Sequence, residues 1–145
     1  MAITFRYSRV PRKDGSLRRA PFIPLHLRDQ SNKLLNFIAL VDSGADTSVI
    51  PKNIAVLLGL RESDHEENTG GIGGLVKVKT SRIPFSIIGE HEKHNLNIPV
   101  LVLQDPEADV PLLLGRSGFF ENFDINFRQN EEKITLKKVE SNKRY

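Results

Sequence analysis

Residues 37–50 read FIALVDSGADTSVI. An apolar run leads directly into Asp42, followed by Ser43, Gly44 and a second apolar stretch. An acid at the end of a buried strand is costly unless it is hydrogen-bonded or put to use. A carboxylate placed there can take a proton from a bound water and later return it. Gly44 lets the backbone turn tightly and approach a partner closely. Ser43 donates a hydrogen bond without adding bulk. Taken alone, the Asp-Ser-Gly triplet is better explained by an Asx-type turn closing a strand.

Two further segments change that balance. Residues 68–79 read NTGGIGGLVKVK, four glycines around one isoleucine, followed by strand-like alternation. A phosphate-cradling loop would need a helix directly afterwards and a Gly-Lys-Ser/Thr, and neither is there. A flexible hairpin tip fits instead. Residues 110–116 read VPLLLGR, a buried apolar run ending at Gly115 and a charged residue.

An acid–Ser–Gly turn, a glycine-tipped hairpin and a Leu-Leu-Gly-Arg strand end, in that order, resemble the retroviral-type (retropepsin-like) aspartic peptidases over about residues 20–128. The resemblance implies an all-β, closed, barrel-like acid-protease fold with a glycine-tipped flap hairpin. It implies an endopeptidase that cleaves extended polypeptide with two aspartates sharing one water, and with no metal or other cofactor. Only one Asp-Ser/Thr-Gly in this chain follows a buried strand: Asp14-Gly15 lacks the strand, and Asp46 is too near Asp42 to supply an opposing half. The second aspartate must therefore come from another copy, and the resemblance likewise implies a C2 homodimer.

The resemblance also assigns roles. Asp42 is catalytic. Ser43 locks the two active-site loops across the dimer axis. The Gly44 carbonyl and the backbone near Ala45 and Asp46 bind the substrate main chain. Gly70, Gly71 and Ile72 belong to the flap tip, with the Ile72 N–H acting through a water. Val49, Ile50, Ile72, Val110 and Leu113 line apolar pockets. Arg116 pairs with Asp46 as a structural brace. Ala45 after Gly44 goes with activity between mildly acid and neutral pH. The chain departs from the family pattern in using Ser43 where threonine is common, and in being longer at both ends than a minimal retroviral protomer. An alternative reading is a dimerisation or peptide-binding module of this fold with little or no turnover.

Strands must position these residues. Alternation marks Val76–Lys79, Ile83–Ile87, Ile125–Arg128 and Lys133–Lys137 as half-buried strands. The denser runs Leu34–Val41 and Ile98–Leu103 read as strands buried on both faces. Turn signals stand at Gln30-Ser31-Asn32, Gly89-Glu90, Asp105-Pro106 and Gln129-Asn130-Glu131. Two short helices are predicted. One begins near Pro51, uses Ile54, Leu57 and Leu58, and ends at Gly59. The other follows Gly115 and carries Phe119, Phe120 and Phe123. The parsing is a basic N-terminal arm (1–19), a peptidase domain (20–139) and a polar tail (140–145), with residues 1–20 and 140–145 the loosest parts.

Composition narrows the classes further. The chain has 145 residues, 39% apolar and 27% charged, enough for one domain with a core. It has no cysteine, so disulfides, thiolate metal sites and a cysteine nucleophile drop out. There is no apolar run of about 20 residues for a membrane span and no apolar segment behind the N-terminal charges. A cytoplasmic protein, made free from Met1, is the expectation. The formal net charge is +3. The excess is N-terminal: Arg6, Arg9, Arg12, Lys13, Arg18 and Arg19 stand against Asp14 alone. Without regularly interleaved aromatics this arm is read as solvated or wrapped around a dimer, and no nucleic-acid partner is expected. EHEKH at residues 90–94 could seat a metal on a helix, but its surroundings favour a solvated turn. His65-Glu66-Glu67 is read as polar hairpin surface.

Overall fold

Alternating side chains set the layers of this fold. The computed structural model describes residues 1–71 and 74–140. The strands in chain order are β1 (Ile3–Arg6), β2 (Ser8–Pro11), β3 (Leu17–Ala20), β4 (Phe22–Arg28), β5 (Leu34–Val41) and β6 (Ser48–Ile50). After helix α1 (Lys52–Leu58) come β7 (Glu67–Gly71), β8 (Gly74–Ile88), β9 (Lys93–Leu103), β10 (Leu112–Leu114), β11 (Phe123–Arg128) and β12 (Lys133–Lys138).

The main sheet runs β4-β5-β10-β6-β9-β8-β7. A pairing of His26 with Ser86 joins β4 to β8 and closes six of these strands into a barrel. Closure removes free edges. Ile23, Leu25, Ile50, Ile87, Val102 and Phe119 are fully buried inside it. Among the described residues β7 pairs only with β8, so the β7–β8 hairpin projects beyond the closed ring.

Strand β10 lies between β5 and β6, parallel to the first and antiparallel to the second. The chain segment that leaves β5 and enters β6 therefore straddles a strand that arrives more than sixty residues later. This crossing builds the site described below.

Three expectations are corrected. β5 buries one face only: Ala39 and Val41 are inside, whereas Leu34 and Ile38 are 53% and 45% exposed. β9 is likewise inward at Ile98, Val100 and Val102, with Pro99 and Leu101 half-buried. A barrel wall has one interior, so these runs, unlike strands of a sheet covered on both sides, keep an outer face. The second helix is a single 3-10 turn at Phe120–Asn122, because Phe123 already begins β11. Phe119 and Phe123 are nevertheless buried together, ring centroids 5.3 Å apart.

The N-terminal residues are less loose than expected. β1 pairs with β12, and β12 with β11, in a second sheet. Ile3, Tyr7, Ile134 and Leu136 are buried there. The Tyr7 hydroxyl donates to Gln129 Oε1 at 3.1 Å. Alternation at Ile3-Thr4-Phe5-Arg6 carries this strand, and the charge count had masked it. β2 and β3 form a separate basic hairpin. Residues 141–145 of the tail lie outside the described residues.

A polar cluster ties α1 to the end of β9. Lys52 Nζ donates to both oxygens of Glu62 at 2.8 Å. Gln104 Nε2 donates to Glu62 Oε1, also at 2.8 Å. Burial alone would raise the Glu62 carboxyl, but these bonds and the Lys52 charge outweigh it and hold it below its ordinary value. A depressed carboxyl stabilises the fold above its unfolded value of about 4.3, and that contribution fades as pH falls through the folded value. Glu62→Gln should lower stability at pH 7 by on the order of 1–2 kcal/mol. The gap from wild type should close towards pH 3. Thermal melts at both pH values check this, and an unchanged gap would show that the charge is not responsible.

Candidate active site

Asp42 follows β5 immediately. Its N–H donates to the Leu114 carbonyl at 3.0 Å, extending the β5–β10 ladder by one step. Its carboxylate Oδ1 accepts the Gly44 N–H at 2.9 Å, and its carbonyl accepts the Ala45 N–H at 3.2 Å. This is an Asx-type turn, and it is also the element that fixes the carboxylate. A Cβ on residue 44 would stand 3.3 Å from Asp42 Oδ1. Asp42 is half-buried.

The loop after Asp42 is fastened to residues 115–117 by main-chain bonds. Arg116 N–H donates to the Ala45 carbonyl at 2.9 Å, and Ser117 N–H to the Asp46 carbonyl at 2.8 Å. Gly115 N–H donates to the buried Ser48 Oγ at 3.0 Å. The Arg116 guanidinium forms an ion pair with the Asp46 carboxylate and reaches the Ser43 carbonyl at 3.4 Å. Both side chains of that pair are largely exposed, so its contribution to stability is small. The backbone does most of the fastening. Gly115 permits it, since a Cβ there would lie 2.7 Å from the Thr47 carbonyl carbon.

Register extends the site across the wall. Side chains two apart on a strand share a face, so Leu40 and Ile38 share the face of Asp42. Leu40 pairs with Leu113, Leu113 with Val49, and Val49 with Leu101. All four are half-buried, while their chain neighbours Val41, Leu114, Ser48 and Val102 are buried. The result is an apolar row across four adjacent strands, on the same side as the carboxylate.

The residues predicted from sequence do not all come together. Asp42, Ser43, Gly44, Ala45, Asp46 and Arg116 come together at the β5–β10 crossing, with Val49 and Leu113 in the adjoining row. Ile50 faces the opposite way and has no exposed surface, because consecutive strand residues cannot share a face. Val110 lies just before β10, in a separate cleft. Gly70 and Gly71 pair with Leu75 and Gly74 at the end of the β7–β8 hairpin. Gly74 takes φ +105°, which suits a tight reversal. Ile72 lies outside the described residues.

Sequence reading missed Leu40 and Leu101. Leu40 was recoverable, since it stands two residues before Asp42. Leu101 was not, because only the β6–β9 register reveals it. Of EHEKH, Glu90 and His91 lie in the turn, but Lys93 and His94 belong to β9. His94 Nε2 lies 2.8 Å from Glu92 Oε2 and stacks edge-on against Phe123. Among the described residues no group of three or more His, Cys, Asp or Glu side chains is disposed to hold a metal. No helix of the described residues is long and apolar enough to cross a membrane.

A closed β wall with an Asp-Ser-Gly turn fastened to a Leu-Leu-Gly-Arg strand end defines a retropepsin-like fold. The aspartyl protease family model matches residues 31–117, and the chain belongs to that family. Among solved structures it is similar to a retropepsin-like aspartic protease from Rickettsia conorii, at 21% identity and TM-score 0.52. That match covers 94% of this chain and 98% of the other. A second similar structure is the EIAV protease complexed with the inhibitor HBY-793, at 25% identity and TM-score 0.42, covering 68% of this chain and 84% of that one. No curated protein matches.

Proposed function

We propose that the protein is an aspartic endopeptidase that works as a homodimer in the cytoplasm, with the peptidase domain spanning residues 20–139. The observation that carries this reading is the Asp42 carboxylate. It is held by its own loop, half-exposed, beside an apolar row, in the segment matched by the family. One protomer supplies one such carboxylate. Two-fold pairing would set Asp42 against Asp42 of the partner subunit.

Two carboxylates a few ångströms apart resist double ionisation and share one proton. The ionised member takes a proton from the water between them, and the water oxygen bonds to the scissile carbonyl carbon. The protonated member gives its proton to the carbonyl oxygen. The resulting gem-diol collapses when one carboxyl gives its proton to the amide nitrogen and the other carboxylate takes a hydroxyl proton, so that the amine leaves and a carboxylic acid remains. The extended substrate would lie on the row of Leu40, Leu113, Val49 and Leu101, with the β7–β8 hairpin acting as a flap.

A shared site makes activity depend on concentration. Specific activity against an unfolded protein substrate should fall on dilution, in step with the dimer fraction measured by sedimentation. Specific activity that stays constant while the protein becomes monomeric would defeat the dyad. A protein that binds peptide and never cleaves it would support the non-catalytic alternative.

A further inference from the structure

The basic β2–β3 hairpin leans over the end of β10 and leaves a cleft of about 460 Å³. Its apolar floor includes Phe22, Ile38, Ile54 and Val110. Arg12, Lys13 and Arg18 rim it, with Asp109 as the lone acid. Lys13 stands 3.8 Å from Asp109 and answers that charge. Arg12 and Arg18 have no carboxylate within 4.0 Å among the described residues. Arg18 is held with its guanidinium carbon 5.9 Å from the Phe22 ring centroid.

The floor continues the face that carries Asp42. Ile38 is four residues before Asp42 on β5, on the same side, and 45% exposed. At about 3.3 Å per residue the separation is about 13 Å. Phe22 pairs with Leu40 and so begins the same row of side chains that runs through Leu113 and Val49. An extended peptide cut at Asp42 covers about 13 Å in about four residues.

We propose that this cleft is a distal substrate subsite that selects an acidic side chain about four residues from the cleaved bond. Arg12 and Arg18 bind the carboxylate, and the apolar floor takes the stem of the glutamate or aspartate. A symmetric dimer carries two such clefts, so the preference falls on both sides of the cut. Two guanidiniums with no carboxylate partner among the described residues, set above an apolar floor, suit an acidic peptide. The proposal also rests on the peptidase reading above.

The test uses the full-length protein and decapeptides carrying either Glu or Gln at the third to fifth positions from the cleaved bond. Wild type should cleave the Glu peptide about tenfold better in kcat/KM, mainly through KM, which corresponds to about 1.4 kcal/mol. In Arg12→Ala/Arg18→Ala the Glu-to-Gln ratio should fall to about one. In Arg12→Glu/Arg18→Glu the preference should turn to Lys at the same position. Raising salt from about 50 mM to about 500 mM should shrink the wild-type ratio. Both arginines are exposed, and matched thermal melts confirm that the variants fold. Cleavage of Glu and Gln peptides at equal rates by wild type, or an unchanged ratio in the double alanine variant, overturns the subsite and leaves the peptidase intact. Absence of all cleavage defeats the peptidase reading. Fluorescence anisotropy of the labelled Glu peptide on Asp42→Asn then decides the cleft separately: tight binding lost on removing both arginines supports it, and equal binding of Glu and Gln peptides overturns it.

Discussion

Asp42→Asn should abolish the proposed peptide cleavage while leaving the fold and the proposed dimer intact. Asparagine can still accept the Gly44 N–H through its side-chain oxygen, so the turn that holds residue 42 survives. It cannot take a proton from water. Loss of a general base of this kind costs on the order of 10²–10⁴ in rate. In a dimer the substitution removes both carboxylates at once, so the loss should lie at the upper end of that range. The assay is single-turnover cleavage of a fluorogenic peptide, with sedimentation and a thermal melt alongside. Cleavage that persists in the folded variant at more than a tenth of the wild-type rate would exclude Asp42 as the catalytic group.

Gly115→Ala should damage stability and activity together, although residue 115 carries no reactive group. The new Cβ would meet the Thr47 carbonyl carbon at 2.7 Å, the Thr47 oxygen at 2.8 Å and the Ala45 oxygen at 2.9 Å. All three are main-chain atoms of the loop that holds Asp42, so no side chain can rotate away. Overpacking of this sort costs about 1–3 kcal/mol. That corresponds to a fall in Tm of roughly 3–10 °C for a chain of this size. Relief requires the loop to part from residues 115–117. The bonds from Arg116 and Ser117 to Ala45 and Asp46 then lengthen, and kcat falls with them. A variant with wild-type Tm and kcat would show that the close approach at Gly115 does not govern the loop.

These two substitutions mark how far the sequence could be read. Asp42, Ser43 and Gly44 stood out because an acid after a buried apolar run demands a reason. Gly115 stood out only as part of a motif. Its role as the point where two backbones touch came from the structure. The same divide runs through the fold. Alternation located β11, β12 and most of β8, and Pro51 and Gly59 bracketed α1 correctly. Alternation missed β1, where a high charge count drew attention from Ile3 and Phe5. It also misjudged β5, whose apolar outer residues looked like a second buried face.

Many of the local pieces are legible in the sequence: several of the strands, several of the turns, which acid ends a buried strand, and that one chain holds a single such acid. These follow from side-chain periodicity and backbone preference, which act over a few residues. Long-range pairing sets the rest: β10 passes between β5 and β6, Leu101 joins the row beside Asp42, Ile50 faces the core, and the basic hairpin overhangs Ile38. Each of those depends on strand register between segments far apart in the chain. A shift of one residue in register turns every side chain to the other face, and no local pattern records which register wins.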